Sequence, residues 1–204
     1  PISTNESYLF SASRDRLIKL WHIDYEKKLH HHIADLDSHT DWVNQIMLIP
    51  EARNTLVSCS NDTTIKNGEW MTEKSKAKTN QAFQHTLGPE DYVRCIDYSL
   101  SSGKLFSCSD DGQTNLFDLH AEKLLQKYEI WDREQKPFDQ LTCSLDLYQS
   151  KSCPTAMASS QSGNLIFTAY SDNSIKMIDS RKANEIHDLI GGHDGAIVKT
   201  LLVS

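Results

Sequence analysis

Three groups of residues in this 204-residue chain are of types that could do chemistry. Asp110-Asp111-Gly112 puts two carboxylates on one turn, an oxygen set that could hold a hard cation. His30-His31-His32 offers three imidazoles to a transition metal. Cys59, Cys95, Cys108, Cys143 and Cys153 could act as nucleophiles or ligands. Each group has a plainer reading. The Asp pair sits at a position that recurs as a turn. The His run follows Lys27-Lys28 and reads as a solvated strand or loop. Five cysteines are an odd number with no C-x-x-C pair, against both a disulfide framework and a structural zinc site. Cys59 and Cys108 lie beside Ser in apolar runs, where buried packing is expected. No phosphate-cradling G-x-x-x-x-G-K-[ST] loop and no G-x-S-x-G elbow occurs. The sequence therefore predicts no catalytic set, no cofactor and no metal.

The elements that would position these residues are repeats. Leu9-Phe-Ser-Ala-Ser-Arg-Asp15, Leu56-Val-Ser-Cys-Ser-Asn-Asp62, Leu105-Phe-Ser-Cys-Ser-Asp-Asp111 and Ile166-Phe-Thr-Ala-Tyr-Ser-Asp172 superimpose. Each Asp is followed by a second β-prone run: Leu17 to Trp21, Thr64 to Lys66, Thr114 to Phe117 and Ser174 to Ile178. Strand, tight turn, strand is the expectation. The four Asp residues lie 47, 49 and 61 positions apart. Longer loops, expected from Tyr128 to Pro137 and from Gln149 to Gly163, account for the wider spacing. Between the hairpins, Leu36 to Leu48, Gly88 to Ile96 and Gly192 to Leu202 each lead from a turn into an apolar strand. The fold class expected is all-β, with four short strands per unit and units that cannot bury their faces alone. Repeats are placed at about 1–35, 36–85, 86–134 and 135–190, with another beginning at 191–204.

The hairpins and the Gly192-His193 pair resemble WD-repeat β-propellers, across essentially the whole chain. The resemblance implies about four blades of a larger ring, expected to have seven. It also implies a hydrogen-bonded set in each blade: the turn Asp, a His before the first strand, a strand Ser or Thr, and a Trp. Such a chain is favourable only when every member has a partner. The second blade supplies His39, Ser58 or Ser60, and Asp62. It completes the set with Trp70 if Asn67-Gly68 is a two-residue bulge, since two extra residues preserve the facing of a strand. The first blade keeps Asp15 and Trp21; the third and fourth keep Asp111 and Asp172 with Phe117 and Ile178 at the Trp position, and Pro89 and Pro137 at the His position. His193 would serve the next blade. Trp131, 20 residues after Asp111, is read as part of a connecting segment.

A narrower likeness runs through Ser13-Arg-Asp15, His39-Thr-Asp-Trp-Val-Asn44, Ser60 to Lys66, Asp91-Tyr-Val-Arg94 and Val198-Lys-Thr-Leu-Leu202. These resemble the propeller cofactors that bind and activate ubiquitin-specific proteases. Partner-binding residues of propellers come mainly from one rim, which here implies Trp42, Asn44, Tyr92, Arg94 and Lys199, with Arg14, Asn61, Asp110 and Ser171 beside the turns. A protein partner is expected, and Lys199 falls on the motif that implies a protease contact. The alternative is a general scaffold, such as a substrate receptor in a ubiquitin ligase or an RNA-processing complex. A net charge of −7 disfavours a broad phosphate-binding surface, so nucleic acid is not expected. No apolar run reaches the roughly 20 residues that span a bilayer, so no membrane partner is expected either. Cytoplasm or nucleus is the expected compartment. The sequence opens at Pro1 without Met and stops within an apolar run, so a longer parent protein is also expected.

Overall fold

The computed structural model of the protein describes residues 6–49, 55–69, 82–84, 91–119, 121, 123–129, 152–182, 186–189, 193–195 and 197. They form four antiparallel sheets in two compact units, Pro1–Ile96 and Asp97–Ser204. Within each sheet the strands follow one another in chain order, as hairpins joined by tight turns allow.

The first sheet holds β1 (Glu6–Ala12), β2 (Leu17–Asp24) and β3 (Leu29–Asp37). The second holds β4 (Val43–Ile49), β5 (Thr55–Ser60), β6 (Thr64–Glu69) and β7 (Ala82–Gln84). Alternation along the strands sends one set of side chains into a shared core. Ile18 and Leu36 of the first sheet pack with Val43 and Leu56 of the second, supported by Phe10, Ala12 and Ile46.

The third sheet holds β8 (Val93–Ser99), β9 (Lys104–Ser109), β10 (Gln113–Asp118) and β11 (Lys123–Glu129). The fourth holds β12 (Pro154–Ser159), β13 (Leu165–Tyr170), β14 (Ile175–Asp179) and β15 (Ile186–Leu189). In the second unit Ala156, Ala169 and Ile197 cluster with Ile175. Tyr128 is buried, and its hydroxyl donates to the Ser180 carbonyl at 3.0 Å.

All four Asp hairpins share one turn. The carboxylates of Asp15, Asp62, Asp111 and Asp172 accept from the backbone N–H two residues on, at 3.1, 3.0, 2.9 and 3.0 Å. This is the local bond that makes Asp a turn residue. The residue after each Asp is left-handed: Arg16 at φ 76°, Thr63 at 67°, Gly112 at 77° and Asn173 at 70°. Only Gly112 adopts that region without a Cβ penalty.

Three expectations are corrected. The stretch from Gln149 to Gly163 is not all loop, because Pro154–Ser159 is β12, paired with β13. Pro is tolerated as the first residue of a strand, and the small Ala156 and Ala158 are buried. Pro137, expected at the His position of the fourth sheet, lies outside the described residues. Tyr128 belongs to β11 and not to a loop.

The third correction concerns Asn67-Gly68. The β5–β6 ladder runs Ser58↔Lys66, Val57↔Asn67, Leu56↔Gly68, Thr55↔Glu69 with no shift, so these residues are ordinary rungs and not a bulge. In the first sheet Leu9 pairs with Trp21, so Gly68 occupies the Trp position itself. Trp70 lies outside the described residues.

Candidate functional site

Two arrangements in the first unit bring the predicted residues together. The first is the polar core of the second sheet. His39 Nδ1 lies 2.8 Å from Asp62 Oδ2, and His39 Nε2 lies 2.8 Å from Ser58 Oγ. An ionised carboxylate can only accept, so Nδ1 carries the hydrogen; in the neutral ring Nε2 then accepts from the Ser58 hydroxyl. Asp62 also accepts from Thr40 N–H at 3.0 Å and from the Thr64 hydroxyl at 2.6 Å. Ser60 receives the Asp62 N–H at 3.0 Å and donates to the Asp41 carbonyl at 3.1 Å. Burial of the Asp62 carboxyl favours its neutral form, but the donors from His39, Thr64 and Thr40 outweigh this and hold it well below the usual carboxylate range.

The expected four-residue set is thus divided between two sheets. The second sheet has Asp, His and Ser; the first has the Ser–Trp half, in which the Trp21 indole N–H donates to Ser11 Oγ at 2.9 Å. Gly68 stands at the Trp position, and besides His39 Nε2 the Ser58 hydroxyl lies 3.4 Å from the Lys66 carbonyl. Asp15 and Asp172 are exposed and Asp111 is half-buried, each holding its own turn. His193 is exposed, unlike buried His39.

The second arrangement is the rim where the strands begin. Ser13 in the β1–β2 turn accepts the Val43 N–H at 3.2 Å, clamping that turn to the start of β4. Arg14 is thereby set with its guanidinium carbon 4.5 Å from the centre of the Trp42 ring. One strand further, the Arg94 guanidinium carbon lies 5.2 Å from the Tyr92 ring centre. Trp42 and Tyr92 are each 42% exposed, although large aromatics are usually drawn inward.

Asn44 joins these pairs. The β4–β5 register shifts between Val43 and Gln45, so Asn44 is the extra residue of a bulge and its side chain is re-aimed. Its amide donates to Asn61 Oδ1 at 2.8 Å and to the Val93 carbonyl at 2.7 Å. Gln45 completes the bracing: its amide donates to the Ile96 carbonyl at 2.9 Å and accepts the Ile96 N–H at 3.0 Å. Sequence reasoning found Asn44 but missed Gln45, since nothing in the sequence marks the bulge.

Ser171 and Asp110 belong to the second unit, where Ser171 N–H donates to the Cys153 carbonyl at 2.9 Å. Lys199 lies outside the described residues. His30, His31 and His32 are exposed on β3; His32 Nε2 is 2.7 Å from Asp35 Oδ1, and its ring lies edge-on to Trp21 at 5.2 Å. Among the described residues no group of three or more His, Cys, Asp or Glu could hold a metal. Cys59, Cys95 and Cys108 are buried, and burial pushes the Cys59 thiol well above its ordinary value, the opposite of an activated nucleophile.

Antiparallel sheets of three and four strands, each with a hairpin turned on an Asp, define a repeat protein of β-propeller type. The sequence profile described as "WD domain, G-beta repeat" matches residues 2–22, 30–66, 81–118 and 141–179, more than half of the chain, and the chain belongs to that family. Among solved structures it is similar to the WD40 beta propeller domain of Doa1, with a TM-score of 0.64 at 20% identity, covering 94% of this chain and 53% of that one. The chain thus spans about half the length of that protein chain, and the likeness is one of fold. Repeats of this family are protein-interaction scaffolds.

Proposed function

We propose that this WD-repeat scaffold binds a ubiquitin-specific protease and activates it without contributing catalytic groups. The observation that carries the reading is the exposed rim: two aromatic rings, Trp42 and Tyr92, each held under a guanidinium at the start of neighbouring strands. Trp, Tyr and Arg are the residue types that anchor protein interfaces. The choice of partner rests on the sequence, where the segments around Arg14, Trp42, Tyr92 and Lys199 resemble WD repeat-containing protein 48. Activation would be a population shift, with the scaffold binding the productive arrangement of the protease more tightly than the idle one. The buried, reduced cysteines fit work in cytoplasm or nucleus.

The test is reconstitution of the full-length protein with a purified ubiquitin-specific protease, reading hydrolysis of a fluorogenic ubiquitin conjugate. Saturable stimulation is expected, weakened by Lys199→Glu with no loss of thermal stability. No binding to such proteases, together with co-purification of ligase adaptors, would replace this reading with that of a ligase substrate receptor.

A further inference from the structure

Arg14 is ordered by the protein itself before any partner arrives. Trp42 supports its guanidinium at 4.5 Å, and the Ser13–Val43 hydrogen bond fixes the turn that carries it. A guanidinium lying over a ring keeps its planar fork of N–H donors at its edge, where the fork matches the two oxygens of a carboxylate. The two acids beside this pair in sequence have backbone partners. Asp15 Oδ1 accepts the Leu17 N–H at 3.1 Å, and Asp41 Oδ1 accepts the Trp42 N–H at 2.7 Å. Among the described residues no carboxylate forms an ion pair with exposed Arg14. Arg94 over Tyr92 repeats the unit at the next strand start, tied to the first by the Asn44–Val93 bond of 2.7 Å.

We infer that this rim reads carboxylates: its partner is a protein segment that presents Asp or Glu side chains beside an apolar one. The acid takes the Arg14 fork, and the apolar group lies on the open flank of Trp42. A stacked arginine loses less side-chain freedom on binding than a free one, so each charge-assisted bond returns more affinity. The inference rests on the scaffold reading and specifies the chemistry that the partner must carry.

Two arms of one experiment keep the readings apart. In the first, affinity of the full-length protein for the purified protease is measured for Arg14→Lys and Trp42→Ala, with melting curves as a folding control. Arg14→Lys keeps the charge but loses the fork, and a weakening of about tenfold or more is expected. Wild-type affinity in a folded Arg14→Lys variant overturns the inference while leaving the protease reading intact. In the second arm, a displayed peptide library is selected on the full-length protein and counter-selected on Arg14→Ala. Enrichment of acidic–apolar sequences supports the rim chemistry even if no protease binds. Enrichment of basic or uncharged sequences, or of none, overturns it.

Discussion

His39 Nδ1 and Asp62 Oδ2 stand 2.8 Å apart, joining residues 23 positions apart in sequence at the base of the second sheet. Both side chains are almost entirely out of solvent, so water cannot readily replace a contact that either one loses. Removing one partner leaves a buried polar atom of the other short of a hydrogen bond, which costs more than the bond itself contributes. His39→Ala and Asp62→Ala are each expected to lower stability by about 3 kcal/mol. The double variant should lose clearly less than the sum of the two. Chemical denaturation of the three variants checks this, and additive losses would show that the pair is not coupled.

The same pair sets an acid limit. Asp62 has a folded-state pKa held below its unfolded value of about 3.9. Its contribution is therefore complete above that value and is lost as pH falls through about 4 towards the folded pKa. The stability of wild type should drop more between about pH 5 and pH 2.5 than that of Asp62→Asn. The other carboxylates with lowered values, Asp24, Asp35, Asp172 and Asp179, titrate in both proteins and cancel in the difference. Parallel stability curves for the two proteins would contradict the assignment.

What the sequence revealed and concealed follows from which bonds are local. The Asp turns were legible because an Asp that accepts from the N–H two residues on writes its geometry into adjacent positions, as Asp62 and Thr64 do. At the rim, a charged Arg94 at a strand entry has little reason to be buried. For Trp42 and Tyr92 the sequence leaves surface and packing equally open, and only their 42% exposure in the structure decides for the surface. Asn67-Gly68 was misread because a two-residue displacement preserves strand alternation, so only the pairing of Gly68 with Leu56 decides its register. Strand β12 was hidden because Ala156 and Ala158 owe their burial to a neighbouring strand and not to their own hydrophobicity. The Asn44 bulge depends on β5, and nothing within β4 announces it.

Leu9, Leu56, Leu105 and Ile166 each stand six residues before a turn Asp, yet their exposures are 51%, 5%, 1% and 0%. Leu56 is buried in the cluster it forms with Ile18, Leu36 and Val43 of the first unit. Truncation there removes transfer energy and leaves a cavity, so Leu56→Ala should cost about 2–4 kcal/mol. Leu9→Ala should cost about 1 kcal/mol or less, since its side chain keeps much of its solvent contact. Thermal melts of the two variants provide the comparison, and equal losses would mean that Leu9 is covered in the protein in solution.

Thr63 holds φ at 67° although it is β-branched, a conformation that costs most residues about 1–2 kcal/mol. The equivalent residue of the fourth hairpin is Asn173, at φ 70°, of a type that tolerates the left-handed region. Thr63→Asn is expected to raise stability by up to about 1 kcal/mol, while Gly112→Val, which introduces a branched side chain at φ 77°, should lower it by at least that much. Denaturant midpoints for both variants test the point together. A loss of stability in Thr63→Asn would mean that the threonine side chain makes a stabilising contact that outweighs its backbone strain.

Thr168 and Ser58 hold equivalent positions, four residues before Asp172 and Asp62, but among the described residues only Ser58 has a His partner. The Thr168 hydroxyl is buried with no hydrogen-bond partner among the described residues, and Ile178 takes the place where a Trp would reach it. A buried hydroxyl without a partner is destabilising by about 1–3 kcal/mol relative to a methyl of the same shape. Thr168→Val should therefore raise the melting temperature, whereas Ser58→Ala, which strands the His39 ring, should lower it. A fall in both would show that Thr168 has a hydrogen-bond partner in solution, and that the fourth sheet keeps a polar set of its own.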